Sequence, residues 1–307
     1  MALKRPLIIA GPTASGKSHI ALRIAERDKG CVINADALQV YGCWRVLTAR
    51  PGSEETARAR HELYGHVSCE TRYSVGAWLR DLESVLASCR QRDQRPVIVG
   101  GTGLYLTALT EGLADIPAIP HNIRARSENL MRSEGFDALR GELAEIDRET
   151  FDMIDTNNPI RVQRAWEVKA ATGRGLASWH MEVKAALLPR DACDCIVLNV
   201  DKSFLAKRIE RRFDNMLQCG ALKECESFLD TGLDRNSPSA RALGATALMS
   251  YLEGKLDLAS ATAETITGTR RYAKRQRSWY RARMADWTWI DPSVADPITA
   301  ISDGKTF

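Results

Sequence analysis

The sequence has no apolar run long enough to span a membrane, and its cysteines have no spacing typical of a disulfide framework. The eight cysteines are scattered, apart from Cys193 and Cys195, so we expect free, buried thiols in a reducing compartment. A strong bias to one charge is also missing, because 43 basic and 39 acidic residues leave a formal net charge of +4. We therefore predict a cytoplasmic protein without a membrane partner, whose substrate must be inferred from motifs.

Two familiar signals are nearly present but lack the required spacing. Lys4 and Arg5 precede an apolar run, but this run is only a few residues long and leads directly into Gly11, which indicates a strand rather than a secretory signal. His61-Glu62 and His66 resemble a zinc motif, but a five-residue spacing places the two imidazoles on different faces of a helix. The sequence therefore favours neither secretion nor a zinc site.

The segment GPTASGKS, residues 11–18, is the most informative stretch of the chain. It lies between a predicted strand and a predicted helix, which is the context of a phosphate-binding loop. Its glycines allow the backbone N–H groups to point at one anion, while Lys17 reaches the terminal phosphate and the Ser18 hydroxyl ligates Mg²⁺. The loop predicts a site for a diphosphate or triphosphate and does not identify the group to which the phosphate is attached.

Further apolar runs predict an α/β fold, with a P-loop core in which a mostly parallel sheet is flanked by helices. Residues 31–33, 96–99 and 195–200 are the other predicted strands. Ligands of such sheets bind outside the carboxyl ends of the strands, and Asp36 follows the second strand at that edge. An ordinary alternative is that Asp36 caps a following helix.

The strand at 96–99 ends in Gly100-Gly101-Thr102-Gly103, where a nucleotide hydrolase would usually have an acid for the Mg²⁺ shell. The glycines permit close approach of the backbone to a ligand, and Thr102 offers a hydroxyl. A flexible turn between strand and helix is the alternative interpretation.

Residues 111–189 contain no strand-like run and are interpreted as an all-helical insertion, with helices near 123–131, 136–146 and 160–172. Residues 1–110 and 190–307 then form the core. The arginines of the insertion are compatible with a solvated face or with a nucleic-acid surface.

Basic residues cluster in two places in the last third of the chain. Residues 270–283 carry seven arginines and lysines without an acid, interleaved with tyrosine and tryptophan, which favours nucleic-acid contact. Residues 207–212 carry four more, in a position where small-molecule kinases place lid arginines. A P-loop small-molecule kinase using ATP therefore stays an alternative, as does a nucleic-acid-binding module with a vestigial loop.

Five motifs, in this order, resemble those of the tRNA dimethylallyltransferases, also called tRNA isopentenyltransferases. They are GPTASGKS, NADALQVY at 34–41, VGGTGLYL at 99–106, RVQRAWEVKAATG at 161–173 and RRYAKRQRSWYR at 270–281. The chain departs from the family pattern at Ala37, where serine is usual, and at Ala245-Thr246, where tyrosine and a basic residue are usual.

The resemblance implies transfer of a dimethylallyl group from dimethylallyl diphosphate to the exocyclic N6 amine of the adenine adjacent to the anticodon in tRNA, with release of diphosphate. It implies catalytic roles for Asp36 as base, Thr102 and Lys17, and Mg²⁺ bound at Ser18. The implied diphosphate ligands are Gly11, Thr13, Ala14, Ser15, Gly16, Lys17, Ser18, Arg208 and Arg212. The implied tRNA contacts, to the anticodon stem-loop, are Asp36, Ala37, Leu38, Gln39, Thr102, Arg124, Arg161, Gln163, Arg164, Lys274, Arg275, Gln276, Arg277, Trp279 and Arg281. We expect a monomer.

Overall fold

The computed structural model describes residues 5–235, 237–293 and 298–299. The chain divides into a larger unit, within Met1–Thr110 and Leu187–Phe307, and a smaller unit, Glu111–Ala186. The larger unit contains the sheet, and the smaller unit is built from helices.

Six strands form the sheet in the order β3-β2-β4-β1-β5-β6, and all neighbouring pairs are parallel. The strands are β1 Leu7–Ala10, β2 Gly30–Asn34, β3 Arg60–Glu62, β4 Arg95–Gly100, β5 Asp194–Leu198 and β6 Thr288–Ile290. The predicted α/β class is confirmed, and the carboxyl ends of β2, β4 and β1 lie side by side. The loops that follow these three strands therefore meet at one edge of the sheet.

Some helices cover the two faces of this sheet, and others form the smaller unit. They are α1 Lys17–Asp28, α2 Ser53–Arg58, α3 Val75–Gln91, α4 Gly103–Glu111, α5 His121–Ser133, α6 Phe136–Ile146, α7 Arg148–Met153, α8 Pro159–Thr172, α9 Leu176–His180, α10 Lys202–Gln218, α11 Ala221–Asp230, α12 Ala245–Leu252 and α13 Leu258–Arg283, with 3₁₀ turns at Arg190–Ala192 and Ser239–Arg241. Within the described ranges, none of these helices is both long and apolar enough to cross a membrane.

Successive side chains of the strands point alternately into two apolar layers, one on each face of the sheet. Ile8, Ile33 and Ile98 pack on one face with α3 and α4, whereas Ile9 and Val99 pack on the other face with α1. Because the central strands are buried on both faces, their sequences are continuous apolar runs. Such runs can be recognised in the sequence. The two edge strands β3 and β6 have only three residues each, RHE and TWI, and they escaped prediction.

An aspartate side chain caps the N-terminus of each of two helices, α10 and α13. The Asp201 carboxylate accepts the Ser203 N–H at 2.7 Å at the start of α10, and the Asp257 carboxylate accepts the Ser260 N–H at 2.6 Å at the start of α13. Both are typical N-caps, which satisfy free backbone donors and so determine where each helix begins.

The smaller unit has its own core, built around α6 and α8. Leu139 and Leu143 pack against Val162 and Trp166, all of which are buried. The Trp166 indole N–H donates to Glu142 at 2.9 Å. The unit therefore buries an apolar interior of its own.

The expectation of free thiols is wrong for one pair. Cys43 and Cys69 form a disulfide, and six other cysteines are free, of which only Cys219 is exposed. The pair is 26 residues apart in sequence, but the Gly42 N–H donates to the Val67 carbonyl at 2.9 Å and holds the two segments together. Sequence spacing could not reveal this contact.

Candidate active site

A cavity of about 600 Å³ opens at the edge of the sheet where the loops after β1 and β2 meet, within the larger unit. Of the residues predicted for the site, Thr13, Ala14, Gly16, Lys17, Ser18, Asp36, Leu38, Gln39, Arg208 and Arg212 line it. The structure thus gathers most of the predicted donor-binding residues around one space.

The loop 11–18 has the backbone of an anion cradle. Ala14 and Gly16 have positive φ angles of 63° and 92°, and Gly16 immediately precedes α1. This places free N–H groups at a helix N-terminus, where partial positive charge favours an anion. Ser15 adds a buried hydroxyl without a hydrogen-bond partner among the described residues.

Lys17 projects into the cavity from the first turn of α1, and its ammonium lies 3.4 Å from the Pro12 carbonyl. Burial lowers the pKa of Lys17 to about 8, an effect that the Asp36 carboxylate opposes and the Arg212 guanidinium reinforces. A partly desolvated ammonium beside an arginine is poised to gain from the arrival of a phosphate.

Two arginines on α10 complete this cationic wall. Arg208 and Arg212 are one helical turn apart and therefore share a face. The Arg212 guanidinium donates to the Thr13 hydroxyl at 3.4 Å and to the Thr48 carbonyl at 3.5 Å. Burial lowers the pKa of Arg212, and the Asp36 carboxylate opposes that shift. The cluster at 207–212 thus divides, with Arg208 and Arg212 in the cavity and Arg211 exposed.

Asp36 lines the same cavity from a tight turn, not from the start of a helix. Its carboxylate accepts the Leu38 N–H at 3.0 Å, and its own N–H donates to the Asn34 side chain at 2.9 Å. Residues 37–50 contain no helix, so the interpretation of Asp36 as a helix cap is wrong. The turn fixes the backbone of Asp36 and leaves carboxylate oxygen exposed to the cavity.

Thr102 supports this turn from the neighbouring strand. The Ala37 N–H donates to the Thr102 hydroxyl at 2.9 Å, and the same hydroxyl interacts with the Tyr272 phenol. The hydroxyl predicted to act on substrate therefore holds the backbone beside Asp36. Ala37 also uses its N–H within the protein, and its methyl side chain offers no hydrogen bond.

The glycines at the end of β4 and directly after it leave space for other residues of the protein, which neither interpretation of this loop predicts. A Cβ atom at Gly100 would overlap the Ala35 carbonyl, one at Gly101 would overlap the Gln276 amide, and one at Gly103 would overlap the Trp279 ring. The loop is therefore packed against the β2 loop and α13.

Helix α13 has a buried face and a basic face. Gln276 and Tyr280 are buried, and the half-buried Trp279 donates from its indole to Thr107 at 3.3 Å. Lys274, Arg275 and Arg281 are exposed, and Arg277 is half-buried. The predicted tRNA contacts on this helix thus separate into accessible cations and side chains, Gln276 and Trp279, that pack on the β4 loop.

A groove of about 390 Å³ runs between α10 and α13. Its basic residues are Lys202, Arg270, Lys274, Arg277 and Arg281. The Arg270 guanidinium contacts Glu210, and the other four basic side chains leave a strongly positive surface. Such a surface suits a chain of phosphates.

The four predicted residues of the smaller unit lie on α5 and α8. Arg161 is exposed, and the Gln163 amide donates to the Ser127 hydroxyl at 3.0 Å, which in turn donates to Glu167 at 2.8 Å. Arg124 lies near Arg164, and burial lowers the pKa of Arg164. Arg161 is thus the most accessible of the four, while Gln163 serves a buried polar network.

Residues 45–50 form a wall of the cavity that the sequence did not suggest. The Glu224 carboxylate accepts three successive N–H groups, from Arg45 at 2.8 Å, Val46 at 2.7 Å and Leu47 at 3.0 Å. This clasp holds the loop and directs Arg45 and Arg50 to the cavity. A lone glutamate on an amphipathic helix gives no sequence signal for such a role.

The imidazoles of the near-zinc motif are used elsewhere. His61 lies on β3 with its ring 2.8 Å from the Ala59 carbonyl, and His66 contacts Tyr73 and Asp81 at 3.3 Å. Within residues 5–235, 237–293 and 298–299, no group of three or more His, Cys, Asp or Glu side chains could hold a metal.

Comparison with known proteins identifies the family. Residues 39–283 match the IPP transferase family. The chain is 52% identical over 289 residues to the tRNA dimethylallyltransferase of Roseobacter denitrificans, covering 94% of this chain and 99% of that one. It is 51% identical to the enzyme of the same name from Dinoroseobacter shibae, covering 95% and 96%.

Solved structures agree with this assignment. The full-length tRNA isopentenylpyrophosphate transferase of Bacillus halodurans superposes with a TM-score of 0.67 at 32% identity, covering 98% of this chain and 94% of that one. A eukaryotic dimethylallyltransferase acting on tRNA shares the fold, with a TM-score of 0.81 at 24% identity and coverages of 98% and 77%. The chain therefore belongs to the IPP transferase family, the family of the tRNA dimethylallyltransferases.

Proposed function

We propose that this protein transfers a dimethylallyl group from dimethylallyl diphosphate to the exocyclic N6 amine of the adenine adjacent to the anticodon in tRNA. The observation that carries the proposal is one cavity lined by a P-loop, Lys17, two arginines and the Asp36 carboxylate. An anion-binding loop and a base in one cavity suit a reaction in which diphosphate leaves as an amine loses a proton. Family membership favours this transferase over the kinase alternative.

On the donor side, the N–H groups of residues 14 and 16–18 and the cations Lys17, Arg208 and Arg212 bind the diphosphate. The bond between the prenyl C1 and oxygen breaks with its electron pair on the diphosphate, so negative charge develops on this anion. Donors that are already in place stabilise that charge more strongly than reorganising water does. The Ser15 hydroxyl is buried and does not line this cavity.

On the acceptor side, the adenine amine is a weak nucleophile, because its lone pair is delocalised into the ring. As N6 forms its bond to C1, it becomes acidic, and Asp36 accepts the proton. Thr102 and Ala37 hold the Asp36 turn in register. The base must leave its stack to reach this position, which explains the need for an extensive basic surface.

Mg²⁺ fits this site as a partner of the substrate. The Ser18 hydroxyl lines the cavity, and hard oxygen donors are those that Mg²⁺ prefers. Because the described residues offer no cluster of acidic side chains, diphosphate oxygens would complete the coordination shell. The ion would add positive charge beside the leaving group.

The tRNA is bound by cations on both units. In the larger unit these are Lys274, Arg275, Arg277 and Arg281 of α13, and in the smaller unit Arg124, Arg161 and Arg164. We assign the anticodon stem-loop to them because Lys274, Arg275, Arg281 and Arg161 are exposed, and phosphates attract such cations. One chain carries both the donor grip and the base, so we expect it to act as a monomer.

The direct test is incubation with labelled dimethylallyl diphosphate and unmodified tRNA, followed by nucleoside analysis. Wild-type protein should prenylate adenine, and Asp36→Asn should lower the rate by about 10²–10⁴-fold while donor binding persists. Asp214→Asn removes an exposed carboxylate on α10 and serves as the matched control. Failure of the wild-type protein to transfer label to the tRNA, or full activity of Asp36→Asn, would contradict the proposal.

A further inference from the structure

The amide of Gln276 links two loops of the active site. Its oxygen accepts the Thr13 N–H at 2.9 Å, and its nitrogen donates to the Gly101 carbonyl at 2.8 Å. The two partners determine the orientation of the amide, because one offers only a donor and the other only an acceptor. The side chain is 5% exposed, so both ends are used inside the protein.

Tyr280 makes a second link one helical turn further along α13. Its hydroxyl lies 3.2 Å from the Gly11 carbonyl and 3.0 Å from the Gly101 carbonyl, and the residue is fully buried. Gln276 and Tyr280 thus connect the loop after β1 with the loop after β4 at two points. The sheet itself joins these loops only as far as the pairing of Ala10 with Gly100.

The loop after β4 is shaped to receive Gln276. A side chain at Gly101 would occupy the space of the Gln276 amide. Without this amide and the Tyr280 hydroxyl, the Gly101 carbonyl would lose its partners in a buried place, at a cost of about 1–3 kcal/mol. A glutamine that reads RNA would instead keep its amide accessible.

We propose that Gln276 and Tyr280 are positioning residues that set the distance between the donor-binding loop and the Asp36 turn. This inference rests on the proposed prenyl transfer. On one side, Gln276 holds Thr13, whose hydroxyl contacts Arg212. On the other side, it holds Gly101, which precedes Thr102 and therefore the support of the Asp36 turn.

Such a link matters because transfer requires the donor carbon and the amine to be in line and in contact. Misplacement by about 1 Å can cost about 10²-fold in rate. The link acts on the alignment of two bound substrates, so its loss should lower kcat. It should not change the affinity for tRNA, which depends on the outward cations of the same helix.

The test compares Gln276→Met, which keeps the length and removes both hydrogen bonds, with Tyr280→Phe, which removes only the hydroxyl. We expect kcat at saturating dimethylallyl diphosphate and unmodified tRNA to fall about 30–100-fold in Gln276→Met and about 3–10-fold in Tyr280→Phe. The dissociation constant for tRNA should stay within about twofold in both variants. Thr267→Ala, at an exposed position of α13 outside the cavity and the basic groove, is the matched control.

Two outcomes would overturn the inference. A raised dissociation constant for tRNA with unchanged kcat would make Gln276 an RNA contact. An unchanged kcat per folded molecule, with only a lower urea midpoint, would make both residues purely structural, and Tyr280→Phe decides this if Gln276→Met does not fold. Failure of the wild-type protein to prenylate tRNA would instead refute the proposed function, and this result is distinct from either outcome for the variants.

Discussion

Two glycine-rich loops stand side by side at the edge of the sheet, and Gly16 of the first serves a different purpose from the glycines of the second. In residues 11–18, Gly16 adopts a left-handed conformation that opens the backbone toward the cavity. In residues 100–103, the space that side chains would fill is taken by the Ala35 carbonyl, Gln276 and Trp279. The first loop is built to contact an anion, and the second is built to contact the rest of the protein.

The difference shows that glycine content alone does not identify a ligand-binding loop. What distinguishes the first loop is its side chains, since Lys17 and Ser18 both line the cavity. The second loop contributes Thr102, whose hydroxyl is occupied by the Ala37 N–H. A substitution in the first loop should therefore affect chemistry, and one in the second should affect folding.

Lys17→Met should produce the largest effect and sharpen this contrast. In the proposed reaction it removes the ammonium that stabilises the departing diphosphate, while its unbranched side chain preserves the packing of α1. We expect kcat/KM for the donor to fall about 10³-fold, with little change in the urea midpoint. The measurement is prenyl transfer at subsaturating dimethylallyl diphosphate.

Ser18→Ala provides a graded companion, because it removes a hydroxyl and no charge. A fall in Lys17→Met that is smaller than the fall in Ser18→Ala would show that the cation is not the main donor ligand. A large loss of stability in Lys17→Met would equally contradict the distinction between the two loops.

Gly100→Ala should have the next largest effect, on stability. The added methyl group would overlap the backbone of Ala35, which cannot move away because its N–H donates to the Val99 carbonyl at 2.8 Å. We expect the free energy of unfolding to fall by about 3 kcal/mol, measured by urea denaturation.

Gly268→Ala is the matched control for this experiment. Gly268 lies inside α13 with open space around it, so alanine should stabilise the protein by about 0.5–1 kcal/mol. Equal stability of Gly100→Ala and the wild-type protein would mean that the second loop is not packed as described.

The fold was largely predictable because the central strands are apolar on both faces. Residues 31–33 and 96–99 could be assigned as strands from composition alone, as could the helices near 136–146 and 160–172. The strands β3 and β6 could not, because RHE and TWI become strands only through pairing with a neighbour already in place. Short edge strands obtain their stability from the sheet and not from local preference.

The lining of the cavity was predictable where it depends on the positions of single residues. Lys17, Asp36 and Arg212 all line the cavity, as their positions after strands or on one helix face suggested. The link made by Gln276 was not predictable, because it joins residues 263 positions apart and depends on a glycine opposite. The clasp of Glu224 on residues 45–47 is of the same kind, since its partners are backbone groups without sequence identity.

The smallest of the three effects should be the pH dependence of kcat/KM for dimethylallyl diphosphate, which follows from the charge on Lys17 in the first loop. Burial lowers the pKa of Lys17 to about 8, so its charge is present below this pH and is lost as pH rises through it. The protonated fraction in the free enzyme should fall from about 0.9 at pH 7 to about 0.1 at pH 9, and kcat/KM for dimethylallyl diphosphate should fall about tenfold with it. The bound diphosphate favours the charged ammonium, so kcat should decline only at higher pH. Lys17→Arg, whose guanidinium does not titrate in this range, should lose the decline in kcat/KM, and its persistence there would assign the titration to another group.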